Sequence, residues 1–498
     1  MSELVLGIDI GTAGTKGVLT TLDGAVVATA VRPHSMSLPR PSWAEVDATA
    51  VWWDGFTAVA RELTGRLGAH TLAGLGVSGV GPCLLLCDSA GEPVRPAILY
   101  GIDGRAEREI HDLTERLGAD TVFERCGKAL STQAVGPKML WMQRNEPREW
   151  ARATRWYNSH SYLAAKLTGA YILDHHTASQ CDPLYDIHAG SWARDWLQDI
   201  AGHLEMPRLV HPHEVVGTVT PEASEATGIP VGTPVCAGTV DAWAEAHSAG
   251  VRHPGDLMLM YGSTLFFVQI LDTYRAHPKL WTTAGVEPGR RTIAAGMSTS
   301  GSLTQWLQEV TGGEPFDTLV AEAEAVPPGS DGLLMLPYFA GERTPVFDPQ
   351  ARGVVAGLTL RHTRGHLFRA AYEGIAFGVR QILDFLEDPD DPVRRIVAVG
   401  GGTKGGLWTQ IVSDVTGREQ QVPTQTIGAC YGDALLCAVG LGLVPPDTDW
   451  AVTETTVRPR AHTRGTYDRL YASYSALYPA TRDIVHDLAD VQRERAGR

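Results

Sequence analysis

The sequence predicts an α/β protein of at least two domains, and three observations carry that expectation. The chain opens on a short apolar strand that runs through a Gly/Thr turn into a hairpin. The same outline of strand, Gly/Ser/Thr turn and strand returns roughly 250 residues later, over 256–270. At 498 residues the chain is long enough for two or more domains, each with a core of its own.

In the opening segment Leu4, Val5, Leu6, Ile8 and Ile10 form a run that reads as a strand buried in a parallel or mixed sheet. Asp9 interrupts it one residue from its end, where a carboxylate is costly to bury unpaired. Residues 17–21, the turn Asp23-Gly24 and residues 25–30 read as a second strand, a tight turn and a third strand. A dinucleotide-binding Gly-rich turn leads into a helix, and this one leads into a hairpin. The pattern suits a different phosphate site. Backbone amides and hydroxyls of the Gly/Thr hairpin would hold phosphates, Lys16 would add a positive charge, and Asp9 would hold a metal ion through water. This arrangement resembles the phosphate loop of the actin-like ATPase superfamily.

Composition excludes several function classes. A formal charge of −15 argues against nucleic acid or an anionic membrane as the main partner. The seven cysteines stand at 83, 87, 126, 181, 236, 430 and 437 with no C-x-x-C pair, which fits a reducing cytoplasm rather than a disulfide framework. No basic leader with a cleavage site opens the chain, and no apolar run reaches the roughly 18 residues of a membrane span. A cytoplasmic protein with small-molecule partners is expected, and a homodimer is left open.

In chain order, Val51, Trp52, Phe56, Val59 and Leu63 have helical spacing and predict a core helix. Residues 72–80 and 83–87 read as strands around Gly81-Pro82. Asp103 and Arg105 close the next strand, either as an exposed loop ion pair or as the polar lining of a pocket. Helices are predicted over 105–117 and 137–145. Seven of the seventeen histidines fall in 146–232, without the spacing of a metal site. Residues 234–237 read as a short strand, Gly238-Thr239 as a turn, and Asp241 as the opening of a small-residue helix. An acid there either caps the helix or takes a proton from a substrate hydroxyl. The second hairpin turns at Gly262-Ser263-Thr264. Strand 293–297, helix 302–311 and the amphipathic helix 366–386 follow. Gly400-x-Gly402-x-x-Gly405 lies between a strand and a helix and suits a nucleotide. The acid that NAD would need about 20 residues on is missing from 420–425. Residues 428–442 read as a Gly/Ala-rich helix. The expected division is 1–249, 250–485 and a tail, 486–498.

Taken together these stretches resemble the FGGY carbohydrate kinase family over nearly the whole chain. Its C-terminal signature stands as Gly353-x-Val355-x-Gly357-Leu358 and, seven residues on, His366-Leu367-x-x-Ala370-Ala371-Tyr372-Glu373. Its GERTP segment is at 341–345, its GGG turn at 400–402 and its phosphate loop at 7–16. Its N-terminal signature is partial: the run from Lys138 to Trp141 fits, while Gln133 and Val135 depart. The "RPAIL…D.R" segment looks most like members that phosphorylate D-xylulose.

The resemblance implies two actin-like (ribonuclease H-like) ATPase domains with the active site in the cleft between them, using ATP and Mg²⁺. It implies Asp241 as catalytic base and Asp9 as the acid that helps hold Mg²⁺. Gly11, Thr12, Thr15 and Lys16 match the phosphate loop, Gly262 and Ser263 a phosphate contact, and Gly401, Gly402 and Thr403 the adenosine turn. The sugar would meet Gly81, Pro82, Asp103, Arg105 and Asp241. The chain departs from its xylulose-phosphorylating relatives where they bind sugar. Val80-Gly81-Pro82 replaces Gln-Met-His, Ala242 replaces an Asn, and Tyr100-Gly-Ile-Asp103 replaces Trp-Asn-Asp. Phosphorylation of a ketopentose such as D-xylulose is expected, with ribulose, a 1-deoxyketose, glycerol or another polyol as alternatives. A non-catalytic nucleotide sensor and an NAD-dependent dehydrogenase are the rivals from other classes.

Overall fold

The computed structural model describes residues 3–424 and 427–496, so that Gln425, the last residue of the acid-free stretch 420–425, lies outside the described residues. The elements that matter for function begin with strands β1 (Glu3–Ile10), β2 (Gly14–Thr21) and β3 (Val26–Pro33), helix α1 (Asp54–Thr64) and strand β4 (Thr71–Gly79). Helix α2 (Ser159–Thr168), strands β5 (Val215–Thr218), β6 (Pro234–Cys236) and β7 (Thr239–Val240), and helix α3 (Asp241–Ser248) follow. Then come β8 (Asp256–Tyr261), β9 (Leu265–Leu271), β10 (Arg291–Met297), α4 (Arg364–Leu386), β11 (Arg395–Val399) and α5 (Leu407–Thr416). The chain ends with β12 (Gln420–Pro423), α6 (Ala429–Gly440), β13 (Thr453–Val457) and α7 (Arg464–Ala496).

Two compact units emerge, and neither is continuous in sequence. The first holds residues 1–252, 273–292 and 427–451, and the second holds 253–272, 293–426 and 452–498. The segment expected as a tail from 486 continues α7 as far as Ala496.

In the first unit seven strands form one sheet, in the order β5-β6-β4-β1-β2-β3 with β7 beside β4. β1 runs antiparallel to β2 and parallel to β4. The second unit repeats this motif: its sheet runs β10-β9-β8-β11-β12-β13, with β8 antiparallel to β9 and parallel to β11. The echo read in the sequence is thus a repeat of topology. The second strand starts earlier than expected because Gly14, Thr15 and Lys16 already pair with β3.

Alternation along β1 separates two environments. Leu4, Leu6, Ile8 and Ile10 pack with Phe56, Val59 and Leu63 of α1 and with Leu75 and Val77 of β4. Trp52, in a π-helical turn before α1, is fully buried in the same core. On the opposite face Val5 packs with Val18 and with Cys430, Ala434, Leu435 and Cys437 of α6. Two glycines let α6 approach this closely. A Cβ at Gly7 would stand 1.8 Å from the Cys430 carbonyl oxygen, and one at Gly76 would stand 2.1 Å from that of Asp433. Both obstacles are backbone, which cannot swing aside.

Gly7→Ala and Gly76→Ala are therefore each expected to lower stability by about 1–3 kcal/mol, the scale of an overpacked core. In α7, Gly465→Ala adds a Cβ that meets nothing within 4 Å and is expected to leave stability unchanged or slightly higher. Denaturant midpoints of the three variants check both statements.

Candidate active site

Strand register assembles the site in the first unit. Asp9 stands opposite Lys16 on β2 and opposite Ser78 on β4, so three polar side chains line one face across three strands. β7 pairs with β4 at Ser78 and Gly79, and α3 starts at the next residue, Asp241. The reversal before β7 uses Gly238 at φ 77°, where a Cβ would collide with the Val77 carbonyl at 1.8 Å. This turn brings Asp241 to the end of the sheet that carries Asp9.

Asp241 lies inside the helix rather than at its cap. Val240 occupies the cap position, and Asp241 Oδ1 accepts from the next backbone amide, Ala242, at 2.7 Å. One turn on, Glu245 is only partly exposed. Burial pushes the carboxyl groups of Asp9 and Asp241 well above the ordinary range. The charge of Asp241 raises Asp9 further, while Lys16 lowers both. Burial likewise raises Glu245 from 4.5 to about 7, against the pull of Lys16. Asp9 Oδ1 accepts from Ser78 Oγ at 3.1 Å, and the same hydroxyl lies 2.6 Å from Asp433 Oδ2.

The other residues singled out in this unit divide. Gly11 closes the first turn with its amide on the Gly14 carbonyl at 3.1 Å, and Thr12 Oγ1 lies 3.1 Å from the Tyr100 hydroxyl. Thr15 points the other way from Lys16: its side chain is fully buried and faces Gly55 of α1. Gly81 and Pro82, joined by a cis peptide, sit beside Val240 and Asn158, and the amide of Cys83 donates to Asn158 Oδ1 at 2.6 Å. Asp103 and Arg105 spend their polar atoms on each other. Arg105 Nη2 donates to Asp103 Oδ2 at 2.7 Å, Asp103 Oδ2 also accepts from the Ala44 amide, and Arg105 Nη1 reaches Glu45 at 2.8 Å. The guanidinium also stacks on Trp43, 3.9 Å from the ring centre. The two form an ion pair, but a buried one rather than the exposed loop pair that one reading expected.

Sequence reasoning missed Ser78, Glu245 and Asp433. Glu245 left a signal, since it stands four residues after Asp241 and so shares its helix face.

In the second unit Gly262 and Ser263 form the tip between β8 and β9. Their carbonyls accept from the amides of Gly301 and Ser300, each at 3.0 Å, which leaves the Ser263 side chain exposed. The turn after β11 holds Gly400 at φ 92°, and Thr403 Oγ1 donates back to the Gly400 carbonyl at 2.8 Å. A Cβ at Gly401 would meet nothing within 4 Å, and one at Gly402 would touch the Trp408 ring at 2.7 Å. The turn is open on one side and backed by an aromatic ring on the other.

Among the described residues no group of three or more His, Cys, Asp or Glu side chains is set to hold a metal ion by itself. An ion here would take one or two carboxylates and draw its remaining ligands from water and substrate oxygens, which is how Mg²⁺ is usually held. The donor set fits: Asp9, which is buried, and Asp241 and Glu245, which are partly so, offer carboxylate oxygens, with Lys16 as a cation that acts on all three. No helix among the described residues is long and apolar enough to cross a membrane.

Family models for the FGGY family of carbohydrate kinases match residues 4–246 with the N-terminal domain and 257–441 with the C-terminal domain. The xylulose kinase of Escherichia coli K12 is 28% identical over 441 residues, covering 88% of this chain and 90% of its own. The gluconokinase of Bacillus subtilis 168 is 28% identical over 462 residues, covering 89% of both. Among solved structures, the xylulose kinase from Rhodospirillum rubrum superposes with a TM-score of 0.88 at 33% identity, over 97% of this chain and all of its own. With the repeated sheet motif and the acids at the end of β1 and the start of α3, these matches establish that the chain belongs to the FGGY family of carbohydrate kinases.

Proposed function

We propose that this carbohydrate kinase transfers the γ-phosphoryl group of ATP, with Mg²⁺, to a hydroxyl of a ketopentose such as D-xylulose. One observation carries the reading: strand register brings a partly buried Asp241 at the start of α3 to the end of the sheet that carries Asp9 and Lys16, and its surroundings raise its affinity for a proton. Two xylulose kinases among the relatives favour the substrate.

Asp241 Oδ1 is occupied by the Ala242 amide, which fixes the carboxylate and leaves Oδ2 to take the proton of the attacking hydroxyl. Burial raises the basicity of this carboxylate towards working pH. The Lys16 ammonium balances part of the charge gathered there. Asp9 would hold Mg²⁺ through water, and the bound ion would neutralise the phosphate oxygens as the bond to the leaving group breaks. In the second unit the tip at Gly262 and Ser263 and the open turn at Gly401, Gly402 and Thr403 suit phosphate and adenosine.

A second reading is another polyhydroxy acceptor: ribulose, a 1-deoxyketose, glycerol or another polyol. It is favoured by the loop at Gly81-Pro82, whose proline has no amide to donate and whose neighbour Val240 is apolar. Ala242 adds no polar group, and the Asp103–Arg105 pair is engaged with itself. A site with few dedicated partners discriminates weakly against a sugar that lacks one hydroxyl. The ratio of kcat/KM for D-xylulose to that for its 1-deoxy analogue is expected below about 10⁴, the scale of a hydroxyl held by dedicated partners. A coupled ADP-release screen of ketoses, polyols and aldoses tests the class. Sugar-stimulated release supports the kinase, and ATP binding without stimulation by any acceptor would indicate a nucleotide sensor.

Asp241→Asn is expected to bind ATP normally and to lose roughly 10²–10⁴ of kcat. In the wild type kcat/KM should fall about tenfold per pH unit once the pH drops below the raised pKa of Asp241, because the base must be unprotonated. Near wild-type turnover by the Asn variant would leave Asp241 without a catalytic role. Asp9→Ala should abolish phosphorylation, with residual turnover only at raised Mg²⁺, and leave sugar affinity nearly unchanged. Full activity at low Mg²⁺ would remove Asp9 from the metal site.

A further inference from the structure

Ser78 has one hydroxyl proton, yet its Oγ stands within hydrogen-bond reach of two carboxyl groups, Asp433 Oδ2 at 2.6 Å and Asp9 Oδ1 at 3.1 Å. Ionised carboxylates only accept, so a single O–H cannot satisfy both. Both contacts are hydrogen bonds at once only when one of the two carboxyl groups carries a proton and donates it to Ser78 Oγ. The surroundings select Asp433. Its side chain is 1% exposed, and Oδ1 has no hydrogen-bond partner among the described residues, an arrangement far more costly for a charged carboxylate than for a neutral acid. Asp9 faces it from β1, Asp241 from α3 and Cys236 from β6, with Cys430 and Cys437 on its own helix. None of these is a cation. Asp9, in contrast, has Lys16 directly across from it.

We propose that Asp433 is a neutral carboxylic acid in the folded protein and serves as a positioning residue: Asp433 Oδ2–H donates to Ser78 Oγ, and the Ser78 hydroxyl donates to Asp9 Oδ1. The chain of donors has one direction, and it ends on Asp9 Oδ1 as the acceptor. Asp433 thereby fixes the rotamer of a carboxylate that it does not itself touch. Burial pushes Asp433 well above the carboxylate range, and the charges of Asp9 and Asp241 act in the same sense.

The activity arm of the test rests on the reading of Asp9 given above, and the ligand-free arm does not. In the full chain Asp433→Ala removes the donor, and kcat or apparent Mg²⁺ affinity is expected to fall about 10–100-fold, as for the loss of a group that orients a metal ligand. Asp433→Asn cannot be charged but can donate from its amide, and it is expected to recover most of that loss. An Asn variant as impaired as the Ala variant would mean that a negative charge is needed, and would overturn the proposal. Without ligands, a neutral Asp433 holds a proton that the unfolded chain releases above about pH 4. Its contribution to stability is therefore complete below that pH and declines as the pH rises. Asn carries no such proton, so the Tm of Asp433→Asn minus that of the wild type should increase from pH 5 to pH 8. A flat or falling difference overturns the proposal even if no sugar is ever phosphorylated. If Asp433→Ala does not fold, Ser78→Ala supplies the activity arm with the same expected loss, and wild-type Mg²⁺ dependence in that variant would count against the chain of donors.

Discussion

The first unit depends on α6 lying against bare backbone. Gly7 and Gly76 present no side chain on the face where the Cys430 and Asp433 carbonyls arrive, and Gly432 does the same for α3, where a Cβ would stand 2.0 Å from the Ala244 carbonyl. With helix and strands this close, side chains that leave α6 at one level reach polar groups on the sheet at the next. Asp433 meets Ser78 for that reason, and Ser78 meets Asp9 because β4 and β1 run parallel in register. Packing and chemistry here are one constraint. The glycines admit the helix, and the helix brings the acid.

Charge follows from the same geometry. Asp9, Asp241, Glu245 and Asp433 gather in one unit of a chain that is already strongly acidic, and burial raises all four. Lys16 can offset only part of this. A region in this condition favours whatever delivers positive charge, whether a proton or a divalent cation, and protons retreat as a cation enters. The binding of any divalent cation there would thus be tied to pH through several groups at once.

Much of the fold was legible in sequence because it rests on short-range patterns. The opening strand and hairpin follow from alternation and from Asp23-Gly24, the amphipathic helix from its 3.6-residue period, and the second hairpin from its likeness to the first. Parts of the site were legible for the same reason. Asp9 is conspicuous as an acid in an apolar strand, and Asp241 as an acid after a Gly-Thr turn. Thr15 could have been separated from Lys16 by strict alternation, which puts neighbours in a strand on opposite faces. The pairing of Asp103 with Arg105 was open in sequence, but its burial beside Trp43 depended on a contact 62 residues away that no spacing rule dictates. Asp433 lay beyond any local pattern: its partner Ser78 is 355 residues away in the chain. A buried polar contact of that range is invisible until the sheet order is known.

The discontinuity of the first unit bears on how the protein is made. Its β-sheet is complete once residue 240 has been synthesised, but α6, which covers one face, is not finished until some 200 residues later. On a ribosome moving at about 5–20 residues per second, that face stays uncovered for roughly 10–40 seconds. During this interval the nascent chain exposes Val5, Val18 and the bare glycines, an apolar strip suited to a chaperone or to misplaced contacts. The acids of β1 and α3 form during the same interval without Asp433 beside them. A chain halted before residue 429 would therefore hold the acids of β1 and α3 and lack the helix that carries Asp433.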